Sequence, residues 1–210
     1  MQQKPRILLL YALDCKPFMT LMATFREVLK DATKCEVYDC FDPKLSEEIA
    51  RNKTDWLRHR IATSKVIVVE SKCAVLHQNA LLKQGKVMYK EPVSNCLDDL
   101  FVYGLKALTD NCFGTYEKIF VVRINGFSEL KDELKHITPY SRYTIPQHME
   151  KLLTSLYQIN YPGYELCNTD ENVDIRMLKL YECILNLENY KTGTPDYLDM
   201  LFVKESDQEV

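Results

Sequence analysis

Glycine is sparse in this chain, and what there is lies scattered. The six glycines, Gly85, Gly104, Gly114, Gly126, Gly163 and Gly193, form neither GxGxxG nor GxxxxGK. A nucleotide site of the usual phosphate-cradling kind needs such a turn, so dinucleotide and P-loop chemistry are excluded and no cofactor is expected. Basic excess is missing as well: 27 Lys and Arg stand against 30 Asp and Glu, a net charge of -3. Neutralising a phosphate backbone or an anionic bilayer needs the opposite balance, so neither nucleic acid nor a membrane surface is an expected partner. No apolar run approaches the ~20 residues that span a bilayer. The opening residues, Met1 to Arg6, lack the apolar core and small-residue cleavage site of an export signal, so export is not expected. Eight cysteines occur without a CxxC pair, and His59, His77, His136 and His148 are isolated from one another. That spacing suits free thiols in a reducing compartment and offers no zinc set, so no metal is expected.

What is present is a regular alternation. Residues 6–12 form an unbroken apolar run ending at Asp14, which suits a strand covered on both faces. Pro17 sits where a first helical turn tolerates it, and Phe18, Leu21, Met22, Phe25, Val28 and Leu29 follow at helical spacing, ending near Asp31. Residues 35–39 read as a short second strand. A polar loop with Pro43 follows, then a helix carrying Trp56, Leu57 and Ile61 with Thr54 as its N-cap. Residues 65–70 are a third, valine-rich strand. Right-handed crossovers then require a parallel sheet.

Residues 71–93 have poor periodicity and basic charge, which reads as a long, partly helical excursion. A clean helical stripe through Leu97, Leu100, Phe101, Gly104, Leu105 and Leu108 leads to a fourth strand at 118–124. A fifth, edge strand is expected around Tyr143, Thr144 and Ile145, with Pro146 opening the next helix. Two tail helices follow, one through Met149, Leu152, Leu153 and Leu156, the other presenting Met177, Leu178, Tyr181, Ile184 and Leu185 as one stripe. Both are amphipathic and should dock on the sheet unit. The fold class is therefore α/β, a flavodoxin-like five-stranded parallel sheet flanked by helices, with residues 1–146 as the domain and 147–210 as a helical extension against it.

Catalytic readings are thin. Cys73, with Lys72 to lower its pKa, lacks a histidine base. A phospho-acceptor domain wants an aspartate at the end of the third strand, which ends in Glu70-Ser71 instead. The stretch Ser94-Asn95-Cys96-Leu97-Asp98-Asp99 loosely resembles the Ser-x-x-Cys-x-x-Glu of Toll/interleukin-1 receptor (TIR) domains that cleave NAD. Its acid is one methylene short, and capping of a helix by Ser94 with acids in the first turn accounts for all three polar residues. A basic excursion beside an acidic helix start remains, and opposite charges on adjoining surfaces are what a head-to-tail protein contact uses.

These residues resemble a family. Tyr11-Ala12-x-Asp14, Cys35-Glu36-Val37, Asp55-Trp56 and Lys65-Val66-Ile67-Val68-Val69-Glu70-Ser71-Lys72 are similar to the SEFIR domain of interleukin-17 receptors and their adaptor. Pro92-Val93, Asp99-Leu100-Phe101, Cys112-Phe113-Gly114-Thr115-Tyr116 and Thr194-Pro195-Asp196-Tyr197 resemble the receptor A branch in particular. The resemblance implies a TIR-like sheet, no catalysis, and homotypic recruitment of a SEFIR-containing adaptor, together with other interleukin-17-receptor chains, at the cytoplasmic face of the plasma membrane. It implies contact residues in and after the excursion: Lys83, Lys86, Lys90, Asp98, Asp99 and Tyr103. Trp56, Ser71 and Phe101 are expected to pack and cap. A start at Met1 without a membrane span leaves a receptor piece or a free adaptor open, and the receptor-like extension favours the former.

Overall fold

The computed structural model describes residues 5–91, 97–110, 116–129, 131, 133–158 and 171–203. Five strands form one parallel sheet in the order β2-β1-β3-β4-β5, with β1 at Arg6–Leu10, β2 at Glu36–Asp39, β3 at Lys65–Glu70, β4 at Ile119–Ile124 and β5 at Ser141–Ile145. The helices are α1 (Lys16–Thr33), α2 (Ser46–Arg51), α3 (Lys53–Thr63), α4 (Lys72–Leu82), α5 (Asp98–Thr109), α6 (Met149–Gln158), α7 (Glu171–Gly193) and α8 (Tyr197–Leu201). This is the expected architecture, with β5 at the edge beside β4.

Alternation along the strands sorts the core into two layers. Leu9, Ile67 and Phe120 lie in register and face α1, α6 and α7. Leu8, Val66 and Ile119, one residue earlier, face α3, α4 and α5. Every residue of β3 is buried, which explains why its sequence shows no polar alternation. Trp56, Leu57 and Ile61 on α3 and Leu100, Phe101 and Leu105 on α5 fill the second layer. Gly104 is where α5 crosses closest to β1: a Cβ there would sit 2.9 Å from Leu10 Cδ2 and 3.4 Å from Leu57 Cδ2. Gly104→Val is expected to overpack this contact and lower the unfolding free energy by about 2 kcal/mol. Urea denaturation checks it, and an unchanged midpoint would show that Leu10 has room to move.

Several local expectations are corrected. The N-cap of α3 is Asn52, whose side chain accepts from Asp55 N–H at 3.2 Å; Thr54 lies inside the helix. Asn52 wins because its carbonyl reaches the third residue on, as an N-cap must. The loop after β2 contains a 3-10 turn at Pro43–Leu45 and the short α2. The excursion is partly helical as expected: residues 72–82 form α4, capped by Ser71 Oγ accepting from Ala74 N–H. Helix α6 begins at Met149 and not at Pro146. The expected cap Ser94 lies outside the described residues.

The largest correction concerns α7. Its buried side, along α1, is Leu180, Ile184 and Leu187, while Leu178, Tyr181 and Leu185 are exposed. The expected single stripe was a mixture of two faces, because this helix is apolar on both sides and periodicity alone does not choose between them.

Candidate interaction surface

The excursion after α4 is held in place from beneath. Lys83 caps α4, Gln84 takes a left-handed φ of 57°, and Gly85 N–H donates to Ala80 O at 2.8 Å, turning the chain sharply. Residues 88–90 then run antiparallel to the end of α8: Lys90 N–H donates to Leu201 O and Val203 N–H to Met88 O, both at 2.9 Å. Between them Tyr89 turns inward. Its ring lies 4.7 Å from that of Phe202 and 5.5 Å from that of His77. Its hydroxyl donates to Leu13 O at 2.8 Å. That hydroxyl proton is thereby used, so His77 Nε2 is the donor in their 2.8 Å contact and the ring carries its proton there. Burial lowers the His77 pKa to about 4, keeping the imidazole neutral.

On this anchored segment the expected contact residues fall into different roles. Lys83 and Lys86 are exposed. Lys86 Nζ stands 2.8 Å from Asp99 Oδ1 at the start of α5, with both side chains about half exposed. Two charges expected to meet across molecules therefore meet within one. Such exposed pairs are worth about 0–1 kcal/mol and exchange readily for another partner. Lys90 is drawn away to α8, where its Nζ donates to Asp199 O at 2.7 Å. Tyr103 Oη accepts from Arg58 Nε and Nη2 at 3.2 and 3.0 Å, joining α5 to α3. The Asp98 side chain lies outside the described residues. The clamp by α8 escaped sequence reasoning; its one signal was the apolar group Leu201-Phe202-Val203 following Pro195.

Beside it, the C-terminal ends of β1 and β3 hold no reactive set among the described residues. Cys73 is fully buried, and burial followed by the nearby Asp14 charge pushes its thiol well above the ordinary range. Burial and the same carboxylate push Cys15 up to about 12. Lys72, cast as the activator of Cys73, is ion-paired with Glu129 at 3.2 Å. Thiols so raised stay protonated and inert. Glu70, where a phospho-acceptor would sit, is buried and bound to Arg123 and Arg142. Ser71, Trp56 and Phe101 are buried, Ser71 as a cap and the two aromatics in the core. Among the described residues there is no cluster of three or more His, Cys, Asp or Glu that could hold a metal ion. No described helix is long and apolar enough to cross a membrane.

One parallel sheet covered by helices on both faces, with a braced, charged loop beside α5, defines the fold class as α/β. Residues 5–156 match the family model of the SEFIR domain, and the chain belongs to that family. SEFIR domains are signalling interaction modules. Among solved structures, the crystal structure of the interleukin-17 receptor B SEFIR domain superposes with a TM-score of 0.51 at 16% identity, over 73% of this chain and 95% of that one. A dienelactone hydrolase from Anabaena variabilis reaches a TM-score of only 0.31 at 14% identity, over 76% of this chain and 88% of that one, and carries no argument. No curated protein matches the chain by sequence.

Proposed function

We propose that this chain is the intracellular signalling region of an interleukin-17-receptor-like protein, of the receptor A branch, and that it recruits a SEFIR-containing adaptor by homotypic contact at the cytoplasmic face of the plasma membrane. Residues 1–146 act as the recruiting domain and 147–210 as an extension that braces it. No step of catalysis is involved. The observation that carries the reading is the 83–90 segment: a rigid, cation-bearing edge beside α5, in a chain of a signalling interaction family. The receptor-like stretch Thr194-Pro195-Asp196-Tyr197 in the extension supports a receptor over a free adaptor.

Lys83→Glu/Lys86→Glu is expected to weaken capture of an adaptor SEFIR domain about tenfold or more, through the lost electrostatic complementarity. Its melting temperature should stay near wild type, since both side chains are exposed. Capture that survives both changes would remove this surface from the reading. Nicotinamide release from NAD that Asp99→Ala abolishes would replace the whole reading with an enzymatic one.

A further inference from the structure

Helix α7 presents to solvent a face that a helix packed on one side has no reason to carry. Leu178 is 64% exposed, Leu185 59% and Tyr181 43%. At about 100° per residue these three fall within about 60° of one another, well around the helix from the buried Leu180, Ile184 and Leu187. Contiguous exposed apolar side chains of this kind mark interaction sites. The charges around them are sorted. The bases of α7 are largely turned inward, Arg176 to Glu27 and Asp31 on α1, and Lys191 to Phe127 O and Glu129. The acids Asp174, Glu182 and Glu188 stay exposed and hold no ion pair among the described residues, with Lys179 as the one exposed base of the helix. The face is apolar with an acidic rim.

The opposite layer of the same molecule carries the reverse pattern. There Leu82 and Met88, each 52% exposed, flank Lys83 and Lys86 in the excursion after α4. One surface is apolar and basic, the other apolar and acidic, and the sheet separates them. We propose that the outer face of α7 docks the 82–88 segment of a second copy of this chain, head to tail. Because the two faces differ and lie on opposite layers, each copy keeps one of each open, and the contact propagates. The proposal rests on the homotypic reading above and revises its geometry: Asp99 already meets Lys86 within the molecule, so the acidic counter-surface is α7 and not the start of α5. Three apolar side chains and a charged rim fall short of the ~800 Å² per partner of a stable complex. The contact is therefore weak between dilute copies and builds where copies are concentrated.

Sedimentation velocity on the full chain, from about 1 µM to about 1 mM, tests it with two variants. Leu178→Glu/Leu185→Glu removes the α7 face, and Lys83→Glu/Lys86→Glu removes the basic one. Wild type is expected to give a growing series of species that shrinks with added salt. Each variant alone should be monomeric, its association weakened tenfold or more, while an equimolar mixture should form a one-to-one dimer and nothing larger. Leu178→Gln/Leu185→Gln serves if the glutamates disturb the helix, and thermal unfolding followed by circular dichroism checks both. A wild type that stays monomeric, a series that stops at two, or variants that associate as well as wild type would overturn the proposal. So would an α7 variant that loses adaptor capture while wild type stays monomeric, which would give the face to a different protein. A wild type that stays monomeric yet captures the adaptor sinks this inference alone; a wild type that self-associates but captures no adaptor sinks the recruitment reading alone.

Discussion

Replacing Glu70 by Ala is expected to lower the unfolding free energy by about 3 kcal/mol or more. Glu70 is the last residue of β3 and is 1% exposed. Its Oε2 accepts from Arg123 Nε and Nη2 at 3.2 and 3.0 Å; its Oε1 accepts from Arg142 Nη1 at 2.5 Å and Leu134 N–H at 2.9 Å. Arg142 Nη2 also donates to Leu134 O and Ile137 O. One carboxylate thus ties β3, β4, β5 and the 133–137 segment together. Without it Arg123 loses its carboxylate, Arg142 keeps only Glu133 at 3.4 Å, and a buried N–H loses its acceptor, which is the costly way to break a buried ion pair. The melting temperature should fall by roughly 6–12 °C for a chain of this size. Arg142 is a third exposed and water softens its part, so the figure belongs chiefly to Arg123 and Leu134. Urea denaturation gives the value. A loss below about 1 kcal/mol would mean that the arginines find other acceptors.

The second large effect is a pH dependence with two opposing arms. Burial raises the Asp14 pKa from 3.8 to about 6, partly offset by the Cys15 N–H, which donates to its Oδ1 at 2.7 Å. Burial lowers the His77 pKa from 6.5 to about 4. For Asp14 the folded state binds the extra proton between pH 3.8 and 6. Its contribution is fully present below 3.8 and is lost as pH rises through 6, about 3 kcal/mol in all. For His77 the unfolded state binds the extra proton between pH 4 and 6.5. That contribution is present above 6.5 and is lost as pH falls through 4, again about 3 kcal/mol. In wild type the two slopes largely cancel between pH 4 and 6.

Single variants separate them. Asp14→Asn keeps an acceptor for Cys15 N–H but has nothing to ionise, so its stability relative to wild type should climb from pH 4 to 6 and level off above. His77→Gln, left with the Asp14 arm alone, should gain stability relative to wild type on acidification from pH 6 to 4. Unfolding free energies at pH 4, 5, 6 and 7.5 test both. Parallel curves for Asp14→Asn and wild type would show that Asp14 is not held in a desolvated site.

The strands were legible in the chain because each is a short apolar run bounded by polar residues. Val66, Ile67, Val68 and Val69 have nowhere to go but a core covered on both sides, and they are buried. The α1 face was legible for the complementary reason: Phe18, Leu21, Met22, Phe25, Val28 and Leu29 recur on one side only, and all six are buried. The surface proved harder to read. Lys83, Lys86 and Lys90 look alike in sequence, yet Lys90 alone is tied to α8, through a contact 109 residues away. No local pattern carries that distance.

Composition and periodicity by themselves determined the five parallel strands, their crossover helices and the lack of a phosphate-cradling turn, because burying a run and closing a crossover depend only on residues near one another in the chain. Tertiary structure alone decided which side of α7 meets α1, that Lys86 meets Asp99 within the molecule, and that Tyr89 pins the excursion beneath Phe202. Each of those depends on which distant surface arrives first in reach: a helix with apolar residues on two sides, or a cation with several acids to choose from, has no preference until the sheet sets its neighbours.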